Sequence, residues 1–290
     1  MEILFDERLA AARRERALQS GRGVSFLLDL AARELAERLA VVERHFDDAV
    51  ELHGASGEAA RYAMATGKVG TIRRAETDEV FASDGPGFIR ADLGDVPIEP
   101  QSTNLILSPL ALHLVNDLPG TLIQIRQALK PDGLLLAAIP GAGTLSELRD
   151  VLLSAEAELS GGASPRVIPF VDVRDAGALL QRAGFKLPVV DAETYTVRYD
   201  SLFPLMQDLR AMGMANPLVG RSRVPLTRRF FMRAAELYAE RYSDPDGRIR
   251  ATFSIIYASG WAARESQQQP LKPGSAKMRL ADALRKANEE

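Results

Sequence analysis

Residues 104–140 read NLILSPLALHLVNDLPGTLIQIRQALKPDGLLLAAIP, and this stretch decides the fold. Leu105 to Leu107 is a short apolar run that breaks at Ser108-Pro109. Leu118, Leu122, Ile125 and Leu129 then recur at helical spacing up to a Lys130-Pro131-Asp132-Gly133 turn, and Leu134 to Ile139 closes the stretch. Short apolar runs bounded by turn residues and separated by an amphipathic helix predict strand, helix, strand, with the strands parallel and buried. Such a crossover is right-handed, and open α/β sheets bind ligands at the carboxyl ends of their strands.

Upstream, Phe46 to Leu52 reads as a strand that ends in His53-Gly54-Ala55-Ser56-Gly57, ahead of an Ala-rich helix from Glu58 to Ala65. Strand, glycine-containing turn and helix form the layout of a nucleotide-type site, because glycines let backbone N–H groups approach a ligand. With two glycines, the pattern fits an ordinary strand-to-helix turn equally well. Val69 to Ile72 is a second strand running into Arg73-Arg74-Ala75-Glu76, and Gly87 to Arg90 is a third, followed by Ala91-Asp92-Leu93. Four strands with helices between them predict an α/β fold with a doubly wound, mostly parallel sheet.

Downstream, helices are expected over Leu145–Leu159 and Asp175–Ala183, two β-rich runs within Phe185–Tyr199, and helices over Leu202–Met212 and Thr227–Arg241. Ile249 to Trp261 returns to strand character. Met206, Met212, Met214 and Met232, with Phe203, Phe230 and Phe231, give the late helices adaptable apolar surface suited to a peptide or protein, or to packing on the sheet. At the other end, a charged helix over Phe5–Leu18 and an amphipathic one over Phe26–Val42 flank a breaker, Ser20-Gly21-Arg22-Gly23. From Glu265 the chain is polar, with a short charged helix after Pro273-Gly274-Ser275. The expected organisation is N-terminal helices over 1–45, a Rossmann-like domain over 46–200 and 249–262, a helical cap over 201–248 and a tail over 263–290.

Composition narrows the function. The 290 residues carry 36 Lys and Arg against 39 Asp and Glu, a formal net charge of -3, so no overall basic field argues for nucleic acid. Short basic clusters at Arg13-Arg14, Arg73-Arg74 and Arg221–Arg229 read as solvated surface. With 0 Cys, disulfides, thiolate zinc sites and a cysteine nucleophile are excluded. No apolar run reaches the length of a membrane span, and the first residues, MEILFDERLAAARRERAL, lack a signal-peptide core, so a cytoplasmic protein is expected. His45, His53 and His113 are the 3 histidines, and none has the spacing of a helical metal site.

The glycine loop after the first strand, the Ala91-Asp92 pair and the stretch from Ser108 to Gly141 resemble class I S-adenosylmethionine (SAM) dependent methyltransferases. The likeness is closer to one branch, the methyltransferase-fold assembly factors of respiratory complex I. It rests on Leu112-His113, Val115-Asn116-Asp117-Leu118-Pro119, Leu129-Lys130-Pro131-Asp132-Gly133, Thr144-Leu145-x-Glu147-Leu148-Arg149, Gly161-Gly162-x-Ser164-Pro165, Arg182-Ala183-Gly184-Phe185 and Met212-Gly213. A more distant likeness is to the malonyl carrier-protein methyltransferase of biotin synthesis.

The resemblance implies a seven-stranded sheet whose last strand is Ile249–Trp261, SAM as cofactor, and a complex I subunit as protein partner, modified at an arginine. It implies a cofactor site of Glu51, His53, Gly54, Ala55, Gly57, Arg73, Asp92, Leu93, Ser108 and Leu110, with His113 as the catalytic candidate and no metal ligand. Three departures stand out: His53 and Ala55 replace family glycines, and Arg73 aligns with the acid that grips the ribose hydroxyls, with Glu76 the next carboxylate. A guanidinium has no acceptor for those hydroxyls. Three readings follow: an active SAM-dependent enzyme, a scaffold that has lost its cofactor, and a carrier-protein or small-molecule O-methyltransferase.

Overall fold

The computed structural model describes residues 3–20, 26–81, 87–162 and 164–263. Residues 21–23 of the breaker and the tail helix expected beyond Pro273 lie outside these. Among the described residues one sheet orders its strands β3-β2-β1-β4-β5-β7-β6. In chain order these are β1 (Phe46–Leu52), β2 (Val69–Glu76), β3 (Phe88–Arg90), β4 (Thr103–Pro109), β5 (Leu129–Pro140), β6 (Lys186–Tyr199) and β7 (Ile249–Trp261). The first five pair parallel, while β7 runs antiparallel to both β5 and β6. The sheet is doubly wound and mostly parallel, and the order reverses between β1 and β4, where ligands bind in folds of this kind.

The helices are α1 (Glu7–Gln19), α2 (Phe26–Ala40), α3 (Glu58–Ala65), α4 (Leu118–Ala128), α5 (Ser146–Ser160), α6 (Val173–Arg182), α7 (Leu202–Ala211) and α8 (Arg228–Tyr242). Alternation along the strands sorts them onto two faces. Leu105, Leu107, Leu134, Leu136, Phe253 and Ile255 point to the side carrying α2, α5, α7 and α8. Ile106, Leu135 and Ala137 point to the other, against Leu122 and Ile125 of α4 and Leu180 of α6. Each such leucine, fully buried, contributes about 1.5–3 kcal/mol. Asp117 caps α4 by accepting from the Gly120 N–H at 3.0 Å, satisfying one orphan donor of its first turn.

Three boundaries differ from the sequence reading. The Lys130-Pro131-Asp132-Gly133 turn is absorbed into β5, with Asp132 at φ 60° and a register shift against β4 between Thr103 and Leu105. The two β-rich runs before Tyr199 are one strand, β6; it lies at the sheet edge, where a bulge around Leu187 (φ 48°) and Pro188 is tolerated. The second strand does not stop at Ile72 but continues through Arg73 and Arg74 to Glu76.

Candidate active site

That extension of β2 sets the chemistry of the sheet's carboxyl edge. The parallel register places Arg74 beside Glu51 of β1, and Glu76 follows two residues on, facing the same side. Arg74 Nε donates to Glu51 Oε2 at 2.6 Å, and Nη2 lies 3.4 Å from Glu76 Oε1. The same guanidinium donates to the Ala55 carbonyl at 2.6 Å and to the Phe81 carbonyl. Arg73 is half-buried one residue earlier, and its stem packs beside Gly87 next to β3. The carboxylate that ends β2 is therefore Glu76, and the position that the sequence alignment gave to Arg73 lies three residues short of the strand end.

A second arginine arrives from α1. Arg14 Nη2 donates to the His53 carbonyl at 2.6 Å, and its side chain lies against the Phe81 ring at 5.7 Å. Both Arg14 and Arg74 are only 9% exposed, which overturns the reading of Arg13-Arg14 and Arg73-Arg74 as solvated surface. Two buried carboxylates, Glu51 and Glu76, face two buried guanidiniums, and the charges balance. Burial lowers the pKa of Arg14, while Glu76 and Glu51 nearby act to raise it. Burial pushes Glu51 up against the pull of Arg74. Burial also pushes Glu76 up, but His53, Arg14 and Arg74 outweigh it and the net shift is down.

The loop between β1 and α3 is built around these acids. Glu51 Oε1 accepts from the Ala60 N–H at 2.9 Å, a negative charge at the start of α3. Glu76 Oε1 accepts from the Ala55 N–H at 2.6 Å. His53 and Ala55 both adopt positive φ, 57° and 54°, so the two positions where the family pattern has glycine do take left-handed backbone, at a strain of about 1 kcal/mol each. At Gly54 a Cβ would overlap the Glu51 carboxyl group, so the loop needs glycine there. Gly57 closes the turn at φ 79° with Arg74 packed against it.

Other candidates surround this cluster. Ser108 is buried near the end of β4 with an unpartnered Oγ, and Leu110 follows at φ 52°. Leu93 is buried and Asp92 exposed, just beyond β3; the Ala91 N–H donates to the Glu76 carbonyl at 2.9 Å, tying that turn to the end of β2. His113 lies in a single 3-10 turn, Leu112–Leu114. Its pKa is pushed down to about 3, by burial first and Arg14 second. An imidazole this weakly basic stays neutral, with one ring N–H and little affinity for a second proton, which suits a hydrogen-bond partner better than a general base. Arg14 escaped the sequence reading because its partners lie on other elements; no local pattern marks it.

Whether these residues fit SAM splits into two questions. Glu76 ends β2, with its Oε2 3.8 Å from His53 Nδ1 and making no hydrogen bond, so this is the carboxylate that would face ribose hydroxyls. The void bounded by Arg14, Ala55, Ser56, Pro109, Leu110 and His113 is about 70 Å³, against roughly 300 Å³ for the smallest ordinary ligand pockets. Arg14 occupies part of the crevice in this arrangement. Among the described residues no group of three His, Cys, Asp or Glu is arranged to hold a metal ion.

Beside this crevice, beneath α7 and the loop that follows it, a cavity of about 400 Å³ opens. Met206, Met212, Met214 and Phe231 line it, Phe230 is buried in the core, and Phe203 and Met232 are exposed.

Sheet order, the β1 loop and the acid ending β2 define a protein of the class I methyltransferase fold. Residues 54–137 match the family described as Methyltransferase domain. The YcgJ protein of Bacillus subtilis shares the fold with a TM-score of 0.55, at 12% identity over 80% of this chain and 98% of that one. Within the class, the chain belongs to the NDUFAF5 family. It is 36% identical to "Arginine-hydroxylase NDUFAF5, mitochondrial" of Rattus norvegicus, over 97% of this chain and 84% of that protein. It is 46% identical to the Dictyostelium discoideum protein of the same name, but spans 42% of that protein's length. A malonyl-[acyl-carrier protein] O-methyltransferase of Halorhodospira halophila is 31% identical over 88% of each chain. Among the described residues no helix is long and apolar enough to cross a membrane.

Proposed function

We propose that the protein acts on an arginine of a protein partner during the assembly of respiratory complex I, with the Glu51–Glu76 crevice receiving the guanidinium. The observation supporting this is that the crevice already accommodates guanidiniums: Arg74 bridges both acids, and Arg14 reaches in from another element. Glu76 Oε2 remains without a hydrogen-bond partner and is the acceptor for an incoming N–H. A charge-assisted bond of this kind is about twice as strong as a neutral one. For the partner's arginine to enter, Arg14 must leave. In this reading Glu76 orients the incoming guanidinium, Glu51 and Arg74 hold the loop, and Leu110 and His113 wall the site.

A second reading, a scaffold that keeps the fold and partner surface without cofactor chemistry, is favoured by the same filling of the crevice. Co-purification separates the two. Tagged full-length chain is used to capture complex I subunits, with Glu76→Gln beside it. Capture that drops at least tenfold with Glu76→Gln supports the arginine site. Undiminished capture and normal complex I assembly with Glu76→Gln would leave the scaffold.

A further inference from the structure

The 400 Å³ cavity combines an apolar lining with a charge of one sign. Leu145 just before α5, Leu148 and Leu152 of α5, Ile168, Leu209 of α7 and Phe231 of α8 supply the apolar part. Five arginines line it as well, Arg13, Arg14, Arg166, Arg210 and Arg221, and among the described residues no Asp or Glu does. Their compensation is unequal. Arg166 is held by Glu156 through two bonds, at 2.6 and 3.1 Å. Arg13 donates to the Asn216 carbonyl at 2.5 Å. Arg221 donates to the Leu218 carbonyl at 2.7 Å and has Asp6 at 3.7 Å.

Arg13 and Arg221 therefore stand together on the cavity wall with a single distant carboxylate between them. Burial lowers the Arg13 pKa, and the Arg221 charge lowers it further, so the pair repels itself. Folding brings these guanidiniums together at a cost that a bound anion would offset. Arg14 and His113, each with a buried nitrogen that makes no hydrogen bond, also belong to the lining.

We infer that this cavity binds an amphiphilic organic anion, a medium-length alkyl chain ending in a carboxylate, with its head at Arg13 and Arg221 and its tail against the α5 leucines. Asp6 offsets one charge of the pair and a carboxylate the other, while Arg210 is exposed and screened by solvent, which favours a carboxylate over a dianionic phosphate. If a methylene takes about the volume of a liquid water, roughly 30 Å³, a chain of about ten carbons occupies on the order of 300 Å³. That leaves room in the cavity for the head group. A guanidinium or ammonium ligand is disfavoured by the same charges. The cavity adjoins the carboxylate crevice and shares Arg14, Leu110 and His113 with it, but an anion head at Arg13 and Arg221 does not depend on the arginine reading.

Titration calorimetry of the full chain tests it with decanoate, decanol, decyl phosphate and decyltrimethylammonium, each below its micelle concentration. The expected result is saturable decanoate binding at least tenfold tighter than decanol and decyl phosphate, with no binding of the cation. Arg13→Ala with Arg221→Ala should weaken decanoate at least tenfold and leave decanol unchanged. The exposed Arg210→Ala, which leaves the core untouched, should weaken decanoate about threefold. Met206→Trp, which fills the cavity, should abolish binding. Equal binding of decanoate and decanol, tighter binding of decyl phosphate, no heat with decanoate, or arginine variants that bind as the parent chain would each overturn the inference.

Discussion

Replacing Arg74 by methionine removes the charge from the centre of the site while keeping the apolar stem. In the parent chain that guanidinium bonds Glu51 at 2.6 Å and the Ala55 carbonyl at 2.6 Å, approaches Glu76 at 3.4 Å and also bonds the Phe81 carbonyl. Without it, two fully buried carboxylates keep the charge of Arg14 nearby and, for Glu76, His53 at 3.8 Å. Removing one partner of a buried ion pair costs about 3–5 kcal/mol. At about 2–4 °C per kcal/mol for a chain of this size, Tm should fall on the order of 10 °C. The pH dependence has a definite sign. Losing Arg74 raises the folded pKa of both acids, so the deficit is full at neutral pH and shrinks as pH falls towards the unfolded glutamate value, about 4.3. Urea unfolding of Arg74→Met at pH 7.5 and 5 measures both effects, and Glu51→Gln added to Arg74→Met should recover part of the loss. A deficit below about 1 kcal/mol at pH 7.5, or one that grows at pH 5, would refute the buried-network argument.

Arg14→Ala should enlarge the 70 Å³ void at the β1 loop and strengthen SAM binding at least tenfold in titration calorimetry; no gain would mean that Arg14 is not what closes the crevice. The His113 pKa, near 3 in the fold and about 6.5 unfolded, makes the unfolded chain bind the extra proton between these values. Its contribution to stability is therefore present above pH 6.5 and lost on acidification, by about 1.4 kcal/mol at pH 5.5, and His113→Gln should flatten that part of the urea-versus-pH curve. Gly54→Ala should cost about 1–3 kcal/mol, because its Cβ overlaps the Glu51 carboxyl group; a neutral result in thermal melts would show that Glu51 can shift without loss.

Apolar periodicity reported the sheet well. Leu105–Leu107, Leu134–Ile139 and Ile249–Trp261 read directly as strands because both of their faces are covered, and α2 and α4 followed from helical spacing. The charged end of β2 was not legible. An Arg-Arg pair after Ile72 looks like a strand stop, and only the neighbouring strand, 23 residues earlier in the chain, makes a buried arginine tenable by supplying Glu51. Arg14 was hidden for the same reason, since its carbonyl partner lies 39 residues away. The loop from His53 to Gly57 was legible as a strand-to-helix turn, and the positive φ at His53 and Ala55 matches the expectation drawn from the family glycines. Residue type could not tell that Glu76, rather than Arg73, would end the strand.

The central claim is that the Glu51–Glu76 crevice handles a partner's arginine, and peptide mass spectrometry of complex I subunits addresses it most directly. Subunits are compared from cells carrying the parent chain, Glu76→Gln, and no copy of the gene. The account predicts one arginine-containing peptide that is heavier in the parent cells, by an oxygen or a methyl group, and unmodified in the other two. Identical peptide masses in all three would contradict it.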